Sequence, residues 1–303
     1  MRRGGNIDRG LSLQAAASVA LALAVLVAGS ARGAAGDTPG VRVEASFTSD
    51  DNVTRSADAD ALSDRILGVR ASASAAVPIS SNTRAIVQGF VGAERFNSYT
   101  GLSRNFIGAQ GDFQYRASGE FGAETYGAFV RAAAENYESS LRDGYRYALG
   151  VSVLKPVTDR VQLFGALTGN MGDGNSIVFD TKNVSLRGNA DWSLTRSDVV
   201  YLGAEYRRGD IVSTAPLSLP LVGIAGENVV EDDAFDDGRF AYRFKANTWI
   251  ATLGYNHAFG AGHSLDLSWR WAQATALDPA SGYTSSDFRY SVNQFSLAYL
   301  ARF

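Results

Sequence analysis

The sequence has no cysteine and only two histidines among its 303 residues. Without cysteine there are no structural disulfides, thiolate metal sites, thiol nucleophiles or lipoprotein-type lipid anchors. Two histidines leave little material for a histidine-based catalytic or metal site. We therefore expect neither a cofactor nor a bound metal.

Long apolar runs are also missing beyond residue 35. A transmembrane helix needs about 20 consecutive apolar residues, and the chain has none there. Aromatic residues are nevertheless plentiful, with 13 Tyr, 16 Phe and 4 Trp. A membrane β-barrel fits this combination, because its lipid-facing residues alternate with polar ones.

Residues 1–35 are predicted to be a cleaved secretory signal. Arg2, Arg3 and Arg9 precede a short apolar segment, Ala15–Val27, and small residues follow it. Cleavage after Ala31 or Ala35 would leave residues 36–303 as one exported domain.

The charge balance excludes nucleic acid as a partner. Residues 1–35 contain four of the 28 Lys+Arg and one of the 31 Asp+Glu, so the remainder has 24 basic and 30 acidic residues, a net charge of −6. Nucleic-acid binding requires a basic surface. Lysine is nearly absent, occurring at Lys155, Lys182 and Lys245, so almost every cation is arginine.

From Val41 onward, segments of alternating polarity are separated by turns. In Gly144–Lys155, for example, Tyr145, Tyr147 and Leu149 alternate with smaller or charged residues. A period of two places successive side chains on opposite faces of a sheet. We expect the apolar face to contact lipid and the polar face to surround a hydrophilic interior.

The pattern predicts an all-β fold, an antiparallel up-and-down transmembrane barrel of about twelve strands, with 10 to 14 compatible with the weak signal of single segments. Short and long connections alternate along the chain. Bacterial barrels have short periplasmic turns and longer external loops. Both termini are therefore expected on the periplasmic side.

The last segment, Phe295–Phe303, ends on an aromatic residue behind alternating apolar positions. It resembles the terminal signal that Gram-negative outer-membrane proteins present to the barrel-assembly machinery. This resemblance implies an outer-membrane location, with lipid and the assembly machinery as partners.

Phe47–Arg55 (FTSDDNVTR) is similar to the opening of proteobacterial β-barrel porins, and to the barrel part of surface-lipoprotein assembly modifiers. The modifiers carry a helical-repeat domain before their barrel. Here only a few residues separate the predicted signal from the first strand, which favours the porin resemblance.

Charged residues on the predicted inner face are candidates for lining a pore or for filling the interior as ion pairs. A catalytic carboxylate pair is the less favoured interpretation. The lumen-lining candidates are Arg70, Arg116, Glu124, Arg146, Glu205, Arg207, Asp266, Arg270 and Arg289.

The connection Asp210–Arg239 is the most distinctive one, because an apolar stretch precedes an acidic one. It could be a solvated outer loop, a constriction folded into the lumen, or a surface that binds a partner. A Ca²⁺ site is less favoured, since the spacing does not match an EF-hand loop. Its acidic residues are Glu231, Asp232, Asp233, Asp236 and Asp237.

We therefore expect a porin-like channel for the passive passage of small polar solutes, and no enzyme. The alternative is a non-conducting barrel whose outer loops or periplasmic rim bind a protein. A histidine-based enzyme is the third possibility. His257 and His263 flank a short turn, where polar side chains at a membrane interface are the expected role.

Overall fold

The computed structural model describes residues 40–236 and 238–303. The predicted signal segment, residues 1–35, and Asp237 lie outside the described residues. Among the described residues, no helix is both long enough and apolar enough to cross a membrane.

Twelve long antiparallel strands form a single sheet, and one short strand, β10, is added to it. The strands are β1 (Gly40–Asp50), β2 (Asp64–Pro78), β3 (Thr83–Phe96), β4 (Arg104–Arg116), β5 (Thr125–Tyr137), β6 (Gly144–Pro156), β7 (Val161–Gly174), β8 (Thr181–Ser193), β9 (Asp198–Pro216), β10 (Val229–Glu231), β11 (Arg239–Ala258), β12 (His263–Ala276) and β13 (Arg289–Arg302). One short helix, α1 (Leu219–Ala225), lies between β9 and β10.

The sheet closes into a barrel because each strand pairs with the next and β1 pairs with β13. The closing register runs from Arg42 opposite Arg302 to Asp50 opposite Gln294. β9 skips the short β10 and pairs directly with β11. The twelve-strand antiparallel barrel predicted from the alternation is thus confirmed.

Both described chain ends and four short turns lie at one end of the barrel, named here the short-turn end; the fifth connection at this end, 117–124, is longer. The turn between β2 and β3, residues 79–82, is typical of it. The opposite, long-loop end carries the connections 51–63, 97–103, 138–143, 175–180, 217–238 and 277–288.

The outward face is apolar in the middle of every strand. Leu67, Leu149 and Leu167 are among its many exposed large apolar side chains. In the described strands, charged residues on this outward face occur only near the strand ends and on the parts of β9 and β11 that project beyond the other strands. This leaves a belt about 9–11 residues deep, the length a tilted strand needs to cross the hydrocarbon of a bilayer.

The segment predicted as a loop from Asp210 to Arg239 is largely ordered structure. β9 continues to Pro216 and β11 begins at Arg239, so the pair extends well beyond its neighbours. β8 last pairs with β9 at Gly209, and β12 first pairs with β11 at Ala246. A hairpin that projects beyond the bilayer has no lipid-facing side and needs no alternation of polar and apolar residues. The polar and turn-like composition of this segment therefore did not indicate a strand.

Candidate functional site: the barrel interior

The inner wall is rich in arginine. The ladder registers, followed around the closed barrel, place on one inner face the arginines Arg42, Arg70, Arg84, Arg104, Arg116, Arg131, Arg146, Arg187, Arg207, Arg270 and Arg302, against the acids Glu44, Asp50, Asp64, Glu94, Asp112, Glu135, Asp191, Glu205 and Asp266. Arginine thus outnumbers acid inside the described barrel, although the chain as a whole has a formal net charge of −3.

Part of this charge is locked into an ion-pair network on strands β3 to β6. Arg104 contacts Glu94 and Glu135, both at 2.8 Å. Arg146 contacts the other oxygen of Glu135 at 3.1 Å. The Tyr137 hydroxyl donates to Glu135 at 2.9 Å. Each member is held by at least one other, so the network links four adjacent strands along the inner wall.

Beside this network, two arginines lie on one aromatic ring. The guanidinium carbons of Arg70 and Arg131 are each 4.5 Å from the centroid of Phe90. The ring can lie close to the wall because Gly108 leaves room for it: a Cβ there would come within 2.4 Å of the Phe90 ring. A cavity of about 180 Å³ opens next to these groups.

The inner wall of β9, β11, β12 and β13 is apolar and buried towards the long-loop end. Ile250, Ala274, Tyr290 and Val292 are among its members, and Ile211 packs against them. Exposing these apolar side chains to a water-filled interior would be unfavourable. Other parts of the chain cover them.

The first long loop, residues 51–63, crosses this wall inside the barrel. Near its start, the Asn52 amide donates to the backbone carbonyl of Ser291 on β13 at 3.0 Å. Further along, the Thr54 carbonyl accepts from the Thr214 amide of β9 at 2.8 Å. Since β13 and β9 flank β12 and β11, the loop must pass over both.

A buried ion pair fastens this loop. Arg55 donates to both carboxylate oxygens of Asp50, at 2.9 and 2.7 Å. Asp50 is fully buried, and Arg55 has the left-handed φ of 54° that only a tight turn requires. Burial alone would lower the pKa of Arg55, but the hydrogen bonds and charge of Asp50 outweigh that effect and raise it.

The extension of β9 and β11, residues 210–236 and 238–245, is named here the cap. The cap begins directly after Gly209. There φ is +145°, and a Cβ would lie 2.3 Å from the Lys182 carbonyl oxygen. A side chain is therefore excluded at the point where β9 leaves β8. Helix α1 packs on the inner side of the cap through Ala225, against Phe244.

The tip of the cap reaches the loops of the opposite wall. Asp232 is buried, pairs with Arg142 and accepts from the Thr214 hydroxyl. Phe235 packs on Tyr99 with ring centroids 5.2 Å apart. Because loops 97–103 and 138–143 belong to strands on the far side of the ring, the cap spans the mouth.

The predicted acidic residues of this segment separate in the structure. Asp232 is buried, and Asp233 accepts from the Ser139 hydroxyl. Glu231 and Asp236 are exposed. Asp237 lies outside the described residues. No group of three or more potential metal ligands occurs in residues 40–236 and 238–303.

The remaining predicted lumen residues fall into two groups. Arg70, Arg146, Glu205, Arg207, Asp266 and Arg270 share the inner face, and Arg116 lies on the same face at the short-turn end. Glu205 pairs with Arg207 at 2.8 Å, Tyr201 donates to Asp266 at 2.9 Å, and Arg270 donates to Gln294 at 2.9 Å.

Two predicted lumen residues do not join them. Glu124 pairs with Lys155 at 2.7 Å, and both lie on the outward face at the short-turn end. Arg289 is exposed on the outward face at the long-loop end. Both lie at strand ends beyond the apolar belt, where an outward charged side chain meets water, so charge alone does not identify the inner face there.

The two histidines lie on the outward face beside the turn between β11 and β12. His257 contacts Asp198 at 2.8 Å, and His263 contacts the Tyr299 hydroxyl at 2.8 Å. Asp266, the carboxylate nearest to His263 in the sequence, faces the interior.

Sequence reasoning missed the two features that shape the interior most. The sequence of loop 51–63 resembles that of an ordinary outer loop. The opposite charges of Asp50 and Arg55 were the available signal for a turn held by an ion pair. Phe90 and Phe106 lie on the inner face, where apolar residues were not expected. The glycines opposite them, Gly108 and Gly92, were the available signal for inward-facing rings.

No protein-family model matches the sequence, and no curated protein matches it. Among solved structures, the chain is similar to an outer-membrane channel from Pseudomonas putida F1, with a TM-score of 0.53, 12% identity, and coverage of 89% of this chain and 98% of that one. It is also similar to the KdgM porin in complex with disordered oligogalacturonate, with a TM-score of 0.43, 8% identity, and coverage of 86% and 98%. The translocator domain of the autotransporter NalP from Neisseria meningitidis gives a TM-score of 0.41, 14% identity, and coverage of 96% and 98%.

At these identities the likeness concerns the fold alone. The chain shares the closed β-barrel architecture of outer-membrane channels, which agrees with the barrel found here.

Proposed function

We propose that this chain is an outer-membrane channel for the passive passage of small polar solutes. The observation that carries the proposal is the contrast between the two faces of one closed sheet. Leu149 and Leu167 project from an apolar outer belt, while Arg187 on the inner face is exposed. An exposed guanidinium inside a barrel requires a solvated interior, because an unpaired buried charge is costly.

The interior cavity beside Phe90 is lined by residues of strands β1 to β5. Loop 51–63 and helix α1 fill the side formed by β9 to β13, against Tyr290 and Phe244. The cap spans the mouth above both sides. We therefore propose a narrow passage whose entrance is controlled by the cap.

The same proposal includes the orientation and the assembly route. Short turns face the periplasm, long loops face outwards, and a signal within residues 1–35 is cleaved during export. The strand that ends at Phe303 engages the barrel-assembly machinery. Protease protection in intact cells tests the orientation: cleavage sites inserted in 217–238 should be cut from outside, and sites in 79–82 should not.

The exposed rim of the cap supports a second candidate function, a barrel that binds a surface protein. Glu231 and Asp236 are exposed there and make no ion pair within the described residues. In that case Glu231→Gln with Asp236→Asn should abolish partner binding and leave any conductance unchanged.

Single-channel recording in planar bilayers tests the leading proposal. The folded protein should give discrete conductance steps, and replacing residues 217–238 by a short turn should enlarge them. Folding is verified beforehand by the mobility difference between unheated and boiled protein in gel electrophoresis. Silent bilayers with folded protein, both intact and shortened, would exclude a channel.

A further inference from the structure

Arg70 and Arg131 lie close together on the inner wall, and neither has an acidic partner. Neither Arg70 nor Arg131 forms an ion pair with any residue in 40–236 or 238–303. Their neighbour Arg104, by contrast, contacts two carboxylates. Arg70 and Arg131 are half-buried, and a guanidinium partly removed from water is stabilised by an opposite charge, so this pair lacks the counter-charge that its surroundings favour.

The two groups converge on one ring. Each guanidinium carbon lies 4.5 Å from the centroid of Phe90, so the two carbons are at most 9.0 Å apart. Charge-assisted N–H···O⁻ bonds are about 2.7–2.9 Å long. The two positive charges are therefore close enough to attract the same carboxylate, to which both arginines can donate such hydrogen bonds.

The nearby acids do not already occupy this role. Glu94 and Glu135 are held by Arg104 and Arg146, and Glu44 is held by Arg42 at 3.0 Å. Among the residues that line the cavity, Arg70 and Arg131 are therefore the arginines without a carboxylate partner, and both lie beside Phe90.

The cavity combines this charge with apolar surface. Its volume is about 180 Å³, and Phe90, Phe106 and Ala133 line it together with Arg70, Arg131 and the already paired carboxylates Glu44, Glu94 and Glu135. Pockets for drug-sized ligands are typically about 300–1,000 Å³, so this one suits a smaller molecule. Aromatic rings and methyl groups next to guanidinium groups match a small organic acid better than a fully hydrated inorganic anion.

We infer that Arg70, Arg131 and Phe90 form a binding site for the carboxylate of a small organic anion inside the barrel. The inference rests on the proposed channel function, which it deepens by naming the class of solute. The carboxylate lies in the cavity beside the two guanidinium groups, and the organic portion packs on the rings of Phe90 and Phe106.

Equilibrium binding of benzoate tests the site without requiring conduction. Saturation-transfer difference NMR on the detergent-folded full chain gives the dissociation constant. Benzamide has the same shape without the charge, and it should give no saturable signal. Arg70→Gln combined with Arg131→Gln should raise the dissociation constant for benzoate at least tenfold, because both charge-assisted contacts are lost.

A matched control separates this site from the general charge of the lumen. Arg84→Gln combined with Arg187→Gln also removes two inward-facing arginines that form no ion pair within residues 40–236 and 238–303. It should change benzoate binding less than twofold. The single change Arg70→Gln serves as a second variant if the double one folds poorly.

The outcomes separate the two proposals. Benzoate binding that is lost only in the Arg70 and Arg131 variant supports the site, even if bilayers are silent and the channel proposal fails. Equal loss in both double variants, equal binding of benzamide, or no benzoate binding by folded protein would overturn the site and leave conductance as a separate question.

Discussion

Removing the Arg55 side chain should release loop 51–63 from the barrel wall. Arg55 forms two hydrogen bonds to the buried Asp50 carboxylate, at 2.9 and 2.7 Å. Without Arg55, Asp50 retains the Gln294 amide at 2.6 Å and the Asn52 backbone amide at 2.9 Å. The Asp50 carboxylate thus keeps two hydrogen-bond donors, so the substitution should destabilise the loop more than the barrel.

The size of the effect follows from these contacts. Hydrogen bonds to a charged group contribute about 1.5–3 kcal/mol each, and removing one partner of a buried pair costs about 3–5 kcal/mol. The Arg55 side chain is 29% exposed, so solvent screening reduces the sum to about 2 kcal/mol. That difference shifts the balance between docked and released loop about thirtyfold towards release.

Two measurements report this release. Hydrogen exchange at the amides of Val53, Arg55 and Thr214 should speed up in Arg55→Ala, because their present acceptors are Leu62, Asn52 and Thr54. Single-channel traces should show a larger open state or frequent openings. Arg42→Ala is the control: it also removes an inward arginine, but from a pair whose members are 46% and 33% exposed. Unchanged exchange and conductance in Arg55→Ala would refute the role of this loop.

The remaining predictions concern the lipid face and the cap. Leu149→Arg places a charge in the middle of the apolar belt and should destabilise the folded barrel in lipid by about 2–4 kcal/mol, as measured by urea titration in vesicles. Ala148→Arg, one residue away on the inner face, should cost much less; equal costs would contradict the assignment of faces. Asp232→Asn weakens the pair with Arg142 and should loosen the cap, which limited proteolysis within 217–238 would detect as faster cleavage. Unaltered cleavage would show that Asp232 does not hold the cap in place.

The sequence was sufficient for the barrel, because every strand repeats the same physical requirement. A lipid-facing position must be apolar, so a period of two appears in segment after segment, as in Gly144–Pro156. The alternation of mostly short and long connections indicated that each strand pairs with the next one in the sequence. Strand ends were less certain, and Glu124 and Arg289 were assigned to the interior although they lie on the outward face.

The contents of the barrel could not be predicted in the same way. Loop 51–63 and the cap are held by contacts between residues far apart in sequence, such as Thr54 with Thr214 and Arg142 with Asp232. A repeating pattern in the sequence gives no information about such contacts. The same holds for Arg70, Arg131 and Phe90, which come from three different strands and are brought together only by the strand pairing of the barrel.

Cysteine accessibility tests the arrangement of the two faces most directly. The chain has no cysteine of its own, so single replacements at Tyr147, Ala148, Leu149, Val151 and Ser152 give unambiguous signals in protein folded into vesicles. A membrane-impermeant thiol reagent should label positions 148 and 152, and a lipid-confined quencher should reach a label at 147, 149 and 151. Uniform aqueous labelling of all five positions, or no alternation between neighbours, would contradict a barrel with lipid outside and a solvated, arginine-rich interior.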